Sequence, residues 1–316
     1  MPEGILYISA LFLGAGGAWI IRRFSHRHRM IDSPTERSSH AGGIPRGGGV
    51  GILAALTVSA LFLGVSWNIW VPAVFVSLVS LCDDRSGLSP RVRLLVHFAA
   101  AAFFLGMPAW GVIPVGLWLV SLVFIVGTAN FYNFMDGIDG IAGITGIIGF
   151  GFVALYAFQG GEDTLAILAL CTACACLGFL PFNLPKARVF MGDVGSVLLG
   201  FVFAQMVLLL AKTPLDFVCL ASGILPFYAD EITTMAVRLK EGENLDQPHR
   251  RHLYQVLANE RGIAHWKISA GYGGLQLVLC SGILLLRPFG VMKVLVLPGM
   301  CLCGFILAGI ILRRRS

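Results

Sequence analysis

Residues 164–211 read TLAILALCTACACLGFLPF NLPKARVFMGD VGSVLLGFVFAQMVLLLA: apolar runs of 19 and 18 residues around an eleven-residue polar turn. A helix needs roughly 20 apolar residues to cross the hydrocarbon of a bilayer. This stretch therefore predicts two spans joined by a turn at one membrane face. Working outward, eleven such runs cover residues 4–21, 48–65, 69–82, 94–109, 112–128, 138–158, 164–182, 194–211, 215–237, 268–286 and 291–312. The third and fourth are short, so ten spans is the alternative count. No run has the alternation of a membrane β-strand.

Of the 316 residues, 57% are hydrophobic and 13% charged, against about a quarter charged in a soluble domain. That excludes a soluble enzyme, a nucleic-acid-binding domain and a disordered chain. The net charge of +6 argues little for an anionic partner, because membrane proteins gather Lys and Arg in cytoplasmic loops. Twenty of the 23 Lys and Arg lie after the odd-numbered segments, leaving only Lys212, Arg287 and Lys293 on the other side. The expected topology is an all-α polytopic protein, N-terminus outside and C-terminus cytoplasmic. Residues 1–316 form a single membrane domain, with loops 22–47, 83–93, 129–137, 183–193 and 238–267 making its active face. No positive charge precedes the first run, so it is expected to stay as an anchor. Cys171, Cys174 and Cys176, flanked by Ala, Leu and Thr, read as packing residues rather than metal ligands.

Thirteen of the 17 acidic residues share the basic face, many within a few residues of an apolar run. Charge gathered where lipid ends marks a site. Asp83-Asp84 closes segment 3, where two carboxylates attract a hard cation or hold a proton. Asn130-Phe131-Tyr132-Asn133-Phe134-Met135-Asp136-Gly137-Ile138-Asp139-Gly140 opens segment 6, whose free N–H groups would favour phosphate. Asp136 reads alternatively as its N-cap and Asn133 as a turn residue. Asp193, in Met191-Gly192-Asp193-Val194-Gly195-Ser196, either caps segment 8 or offers a carboxylate to a Mg²⁺ that bridges phosphates. His249-Arg250-Arg251-His252 suits phosphate oxygens. The first loop adds Asp32 to His40 and Ile44-Pro45-Arg46-Gly47-Gly48-Gly49, which is no Walker loop. Carboxylates, helix ends and Arg/His donors at the lipid boundary suit a phosphorylated ligand with a hydrocarbon tail, and phosphoryl transfer needs mainly positioning and charge neutralisation.

In this order the motifs resemble the polyprenyl-phosphate N-acetylhexosamine-1-phosphate transferases, from Asp32 to about Gln255, and most the branch that initiates O-antigen. The resemblance implies transfer of a sugar-1-phosphate from a UDP-sugar to undecaprenyl phosphate, releasing UMP. It implies Mg²⁺ dependence, with Mn²⁺ as a substitute, in a bacterial inner membrane with the site facing the cytoplasm. By motif position Asp193 would bind the metal, Asp83 would deprotonate or position the lipid phosphate, and Asp84 would assist metal and diphosphate. Asp139, Asn183 and Phe190 would line a uridine pocket supported by Asn130, Asn133 and Asp136. Arg93, His249, Arg250, Arg251 and His252 would contact phosphate. The family's later histidines are replaced by Leu253-Tyr254-Gln255, so only His252 carries over. That loop resembles the branch using UDP-N-acetylated 6-deoxyhexosamines such as N-acetylfucosamine. The partners implied are UDP-sugar, undecaprenyl phosphate and the bilayer, without nucleic acid and with a homodimer allowed.

A different class also accounts for polar residues in lipid: a transporter or flippase of a phosphorylated lipid or anion. Asp230 and Glu231, near the inner end of segment 9, would belong to its pathway.

Overall fold

A computed structural model describes residues 3–28, 30–32, 42–106, 114–244 and 250–313. His249, the stretch from Ser33 to His40 and the junction of segments 4 and 5 lie outside them. The protein is an all-α polytopic membrane protein. Its first helix, α1 (Glu3–His28), leads into a minimal hairpin of β1 (Ile31–Asp32) and β2 (Ile44–Pro45). Then follow α2 (Val50–Phe62), α3 (Trp67–Ser86), α4 (Pro90–Leu105), α5 (Val115–Met135), α6 (Ile141–Gln159), α7 (Asp163–Asn183) and α8 (Asp193–Leu210). The ninth apolar run is broken into α9 (Pro214–Ala221) and α10 (Leu225–Lys240), joined by a 3-10 turn at Ser222–Ile224. Pro226 has no N–H to donate back across that junction, so it suits the first turn of a new helix. The short α11 (Leu253–Gln255) and a π-helical turn precede α12 (His265–Leu286) and α13 (Val291–Arg313).

Every apolar run of the sequence thus carries a helix among the described residues. By length and composition, seven of the described helices suffice to cross a bilayer. The short third run gains length from its polar end: α3 continues through Asp83 and Asp84 to Ser86.

The centre of the bundle is α8, which buries sixteen of its eighteen residues between α3 and α5. α6 and α7 pack together, α1 lies on α7 and α2, and α12 covers α6. Small residues permit these approaches: a Cβ on Gly178 would stand 2.0 Å from the Leu11 carbonyl oxygen, and one on Gly146 2.9 Å from Cys176 Sγ. The cysteines of α7 are therefore packing elements, as their neighbours in sequence suggest. Val115, Leu119, Val120 and Val123 of α5 and Met292, Met300 and Leu307 of α13 turn outward. Such a girdle of large apolar side chains is stable against lipid rather than water.

One local expectation is corrected. Asn130 and Asn133 do not open segment 6 but end α5, and Asp136 is the C-cap of α5 rather than an N-cap. α6 starts at Ile141, after Gly140 in a left-handed conformation with φ 83°. The carbonyl end of α5, not the amide end of α6, carries the two amides.

Candidate active site

The polar ends of α3, α4, α5, α7 and α8 meet around a cavity of about 380 Å³. Its construction begins with the β-hairpin. The Phe190 N–H donates to the Pro45 carbonyl at 2.7 Å, and the Phe190 carbonyl accepts from Gly47 (3.2 Å) and Gly48 (2.9 Å). This lays residues 45–49 along the segment leading into α8, and it needs glycine. A Cβ on Gly49 would lie 2.4 Å from Gly195 Cα, and one on Gly192, at φ 75°, 2.7 Å from Asp84 Oδ2.

Arg46 is thereby delivered between two aspartates. Its Nε stands 2.8 Å from Asp84 Oδ1, and its Nη2 donates to Asp193 Oδ1. Arg93, from the first turn of α4, bridges Asp193 Oδ2 and Asp83 Oδ2, each at 3.3 Å. Three carboxylates and two guanidiniums alternate along one wall. Asp83 also accepts from the Leu88 N–H, which holds its carboxylate to the α3–α4 turn.

The Asp84 side chain is fully buried and accepts from the N–H groups of Asp193 (3.2 Å) and Val194 (3.3 Å). Gly195 and Ser196 donate back to the Gly192 carbonyl. The first turn of α8 thus has its amides satisfied from within the protein. The Asp193 side chain does not cap the helix: Gly192 holds the cap position without a side-chain bond. Burial, and then the facing Asp193, push the Asp84 carboxyl up against the lowering effect of Arg46. Arg46 holds its proton above the ordinary value, because Asp193 and Asp84 outweigh the cost of its burial.

On the opposite wall, Asn133 Oδ1 accepts from Ser196 Oγ at 2.7 Å. Asn183 Oδ1 accepts from the Gly140 N–H (2.7 Å) while its Nδ2 donates to the Val189 carbonyl (2.9 Å), fastening α7 to the α5–α6 turn and to the Phe190 strand. Asp136 faces the cavity, its carboxyl raised to about 7 by burial and the nearby Asp193. Among the described residues no three His, Cys, Asp or Glu side chains form a ready-made metal cage. The hard oxygen donors still suit Mg²⁺, which takes one or two carboxylates and completes its shell with water and substrate phosphate.

A family model described as glycosyl transferase family 4 matches residues 66–211, which include Asp83, Asp84, Arg93, Asn133 and Asp193. A Thermotoga maritima undecaprenyl-phosphate alpha-N-acetylglucosaminyl 1-phosphate transferase is 30% identical over 251 residues, 78% of this chain and 79% of the relative. The chain belongs to this family of polyprenyl-phosphate sugar-1-phosphate transferases. A probable undecaprenyl-phosphate N-acetylglucosaminyl 1-phosphate transferase of Bacillus subtilis is 28% identical over 75% of this chain and 72% of its own. A decaprenyl-phosphate N-acetylglucosaminephosphotransferase of Mycobacterium tuberculosis is 33% identical over 58% and 54%.

Against that membership the transferase's site residues divide. The cavity is lined by Arg93, Asn133, Asp136, Asn183, Phe190 and Asp193, with Asp83 and Asp84 directly behind. Asn130 instead donates to the Val126 carbonyl and meets His97, and Asp139 pairs with His265 at 3.2 Å. Arg251 pairs with Glu241 and Glu243 on the surface. His252 is buried beside Glu231, at 3.4 Å, with its ring stacked on Tyr254; neither it nor Arg250 lines the cavity. Arg46, Asp32 and Gln255 do line it. Arg46 is the main residue missing from the sequence-level set. Its only local signal is a basic side chain beside three glycines.

Proposed function

We propose that this enzyme transfers an N-acetylhexosamine 1-phosphate from a UDP-sugar to undecaprenyl phosphate and releases UMP. One oxygen of the lipid phosphate attacks the phosphorus that carries the sugar. The bond from that phosphorus to the bridging oxygen breaks, and UMP leaves with that oxygen. The observation carrying the reading is the wall on which Asp83, Arg93, Asp193, Arg46 and Asp84 alternate beside a cavity at the bundle's polar end.

Asp193, between Gly192 and Val194-Gly195 and reached from the cavity, would be the principal ligand for Mg²⁺ or Mn²⁺. Bound there, the ion neutralises charge on the diphosphate. Asp84 supports it by fixing the Asp193 and Val194 backbone. Asp83 positions the lipid phosphate and takes its proton, and Arg93 and Arg46 contact phosphate oxygens. Asn183, Phe190, Asn133 and Asp136 shape the nucleotide side of the cavity. The chain acts as one membrane domain of eleven spans in the bacterial inner membrane, N-terminus outside and active face cytoplasmic; the segregation of Lys and Arg supports this. Its product initiates O-antigen or another surface polysaccharide. A 6-deoxy-N-acetylhexosamine is the favoured sugar on the resemblance of the 249–255 loop.

Incubation of the purified protein with undecaprenyl phosphate, Mg²⁺, a panel of UDP-N-acetylhexosamines and labelled UMP tests this. A transferase moves label into the UDP-sugar, whereas a transporter leaves it in UMP. Absence of exchange with every sugar would overturn the reading.

A further inference from the structure

Asp230 lies in α10 with no solvent exposure, and nothing in the reaction above uses it. Its carboxylate is surrounded by donors from three parts of the chain. Oδ1 accepts from the Leu253 N–H at 2.7 Å and from Thr234 Oγ1 at 3.2 Å. Oδ2 accepts from the Tyr254 N–H at 3.2 Å and from Tyr272 Oη of α12 at 2.7 Å. Two backbone amides and two hydroxyls answer the lone pairs of a buried carboxylate, and the His252 ring stands 4.0 Å from Oδ1. A buried charge is costly unless it is so matched. Its removal is therefore felt by whatever it holds.

What it holds is a wall of the active cavity. Tyr254 is fully buried, and its Oη donates to the Phe134 carbonyl, at 2.9 Å, in the last turn of α5. The fit leaves no space: a Cβ on Gly137 would lie 2.2 Å from that hydroxyl oxygen. Gln255 follows directly. It lines the cavity with Phe134, Asp136 and Gly137, and its Oε1 accepts from the His252 N–H at 3.3 Å. The connection runs from Asp230 through two successive amides to Tyr254 and Gln255, and from Tyr254 to the turn that carries Asp136.

We propose that Asp230 is a positioning residue. Its buried carboxylate anchors residues 253–255 so that Gln255 closes the nucleotide side of the cavity and Tyr254 sets the α5–α6 turn. It touches no substrate and acts through Gln255, on the wall away from Asp193. Asp230 is thereby accounted for as an anchor rather than as part of a transport path. The kinetic consequence rests on the transferase reading; the anchoring does not.

Asp230→Asn preserves shape but puts an NH₂ where an acceptor stood, so one backbone amide loses its partner. Hydrogen–deuterium exchange of the full-length variant in detergent reads the anchor. Amides of residues 253–256 are expected to exchange about tenfold faster, with residues 193–210 unchanged. UMP release against UDP-sugar concentration reads the positioning. The expected loss in kcat/KM is about tenfold, mostly through KM, and the double variant with Gln255→Ala is no worse than the poorer single variant. Unchanged exchange at 253–256, or losses that multiply in the double variant, would overturn the proposal. Should Asp230→Asn fail to insert, Tyr254→Phe, which removes the hydroxyl that bonds Phe134 and meets the Gln255 side chain, enters the same cycle with Gln255→Ala and is read in the same way. A wild-type protein that releases no UMP from any UDP-sugar would remove the transferase reading, and the exchange data would still decide the anchor.

Discussion

Two aspartates hold the cavity from opposite sides by the same local device. Asp84 accepts the successive amides of Asp193 and Val194; Asp230 accepts those of Leu253 and Tyr254. Each uses one carboxylate to seize the start of a helical turn delivered from a remote part of the chain. The surroundings differ. Asp84 shares its corner with Asp193, Asp83, Arg46 and Arg93, whereas Asp230 is bound by two backbone amides and by the hydroxyls of Tyr272 and Thr234, with the His252 ring 4.0 Å away. On the proposed reading, the first corner is charged for phosphates and a cation, and the second serves to hold its segment in place. The same pair of amide bonds to one carboxylate would then serve chemistry on one wall and position on the other.

The largest expected effect that would break this contrast is at Asp193. Asp193→Asn keeps size and lets α8 form, yet UMP exchange should fall at least about 100-fold, with partial recovery at high Mg²⁺. Wild-type and variant curves that superimpose across a Mg²⁺ titration would make the first corner as structural as the second.

Arg46→Gln sharpens the same difference. It leaves Asp84 and Asp193 facing each other without their shared counter-charge. The metal-free protein should lose about 1–2 kcal/mol, less than for a fully enclosed pair because the Arg46 side chain is 36% exposed. Thermal unfolding in detergent, with and without Mg²⁺, should show the deficit shrinking when the cation is added. A deficit independent of Mg²⁺ would separate Arg46 from the metal position.

The pH dependence of stability follows from Asp136, whose carboxyl is raised from 3.8 to about 7 by burial and Asp193. The folded protein binds this proton more tightly than the unfolded chain does. Its contribution is therefore full below pH 3.8, declines as pH rises through about 7 and is flat above. Asp136→Asn should flatten that part of the melting-temperature profile, and an unchanged slope would assign it to another group.

The smallest effect is expected at Arg251. Its guanidinium rests on Glu241 and Glu243 in an exposed cluster, so Arg251→Ala should cost under about 1 kcal/mol and leave turnover within about threefold. A loss comparable to that at Arg46 would mean that this loop reaches the phosphates during the reaction.

Much of this was legible beforehand. The apolar runs mark the helices, and Asp83, Asp84 and Asp193 stand out because carboxylates beside apolar runs are costly without a purpose. The Asn130 to Asp136 stretch is misplaced by sequence alone, because polarity there reads as the end of a helix. A helix ends where its N–H to carbonyl ladder ends, and α5 continues through Asn130 and Asn133 to Met135. His252 was assigned to phosphate by its position in a motif, but its ring is enclosed by Tyr254 and Glu231.

The sequence by itself determined that the chain is a helical membrane protein and that its charge gathers at one end of the bundle. Those properties follow from hydrophobic length and from the cost of charge in lipid, both of which act along the chain. Only the tertiary structure decided which charges meet. Arg46 reaches Asp193 across 147 positions, and Tyr254 reaches Phe134 across 120. No period or spacing encodes such pairs. They arise because close glycine packing lets the hairpin lie on the entry to α8, and because one buried carboxylate has nowhere else to find its hydrogen bonds.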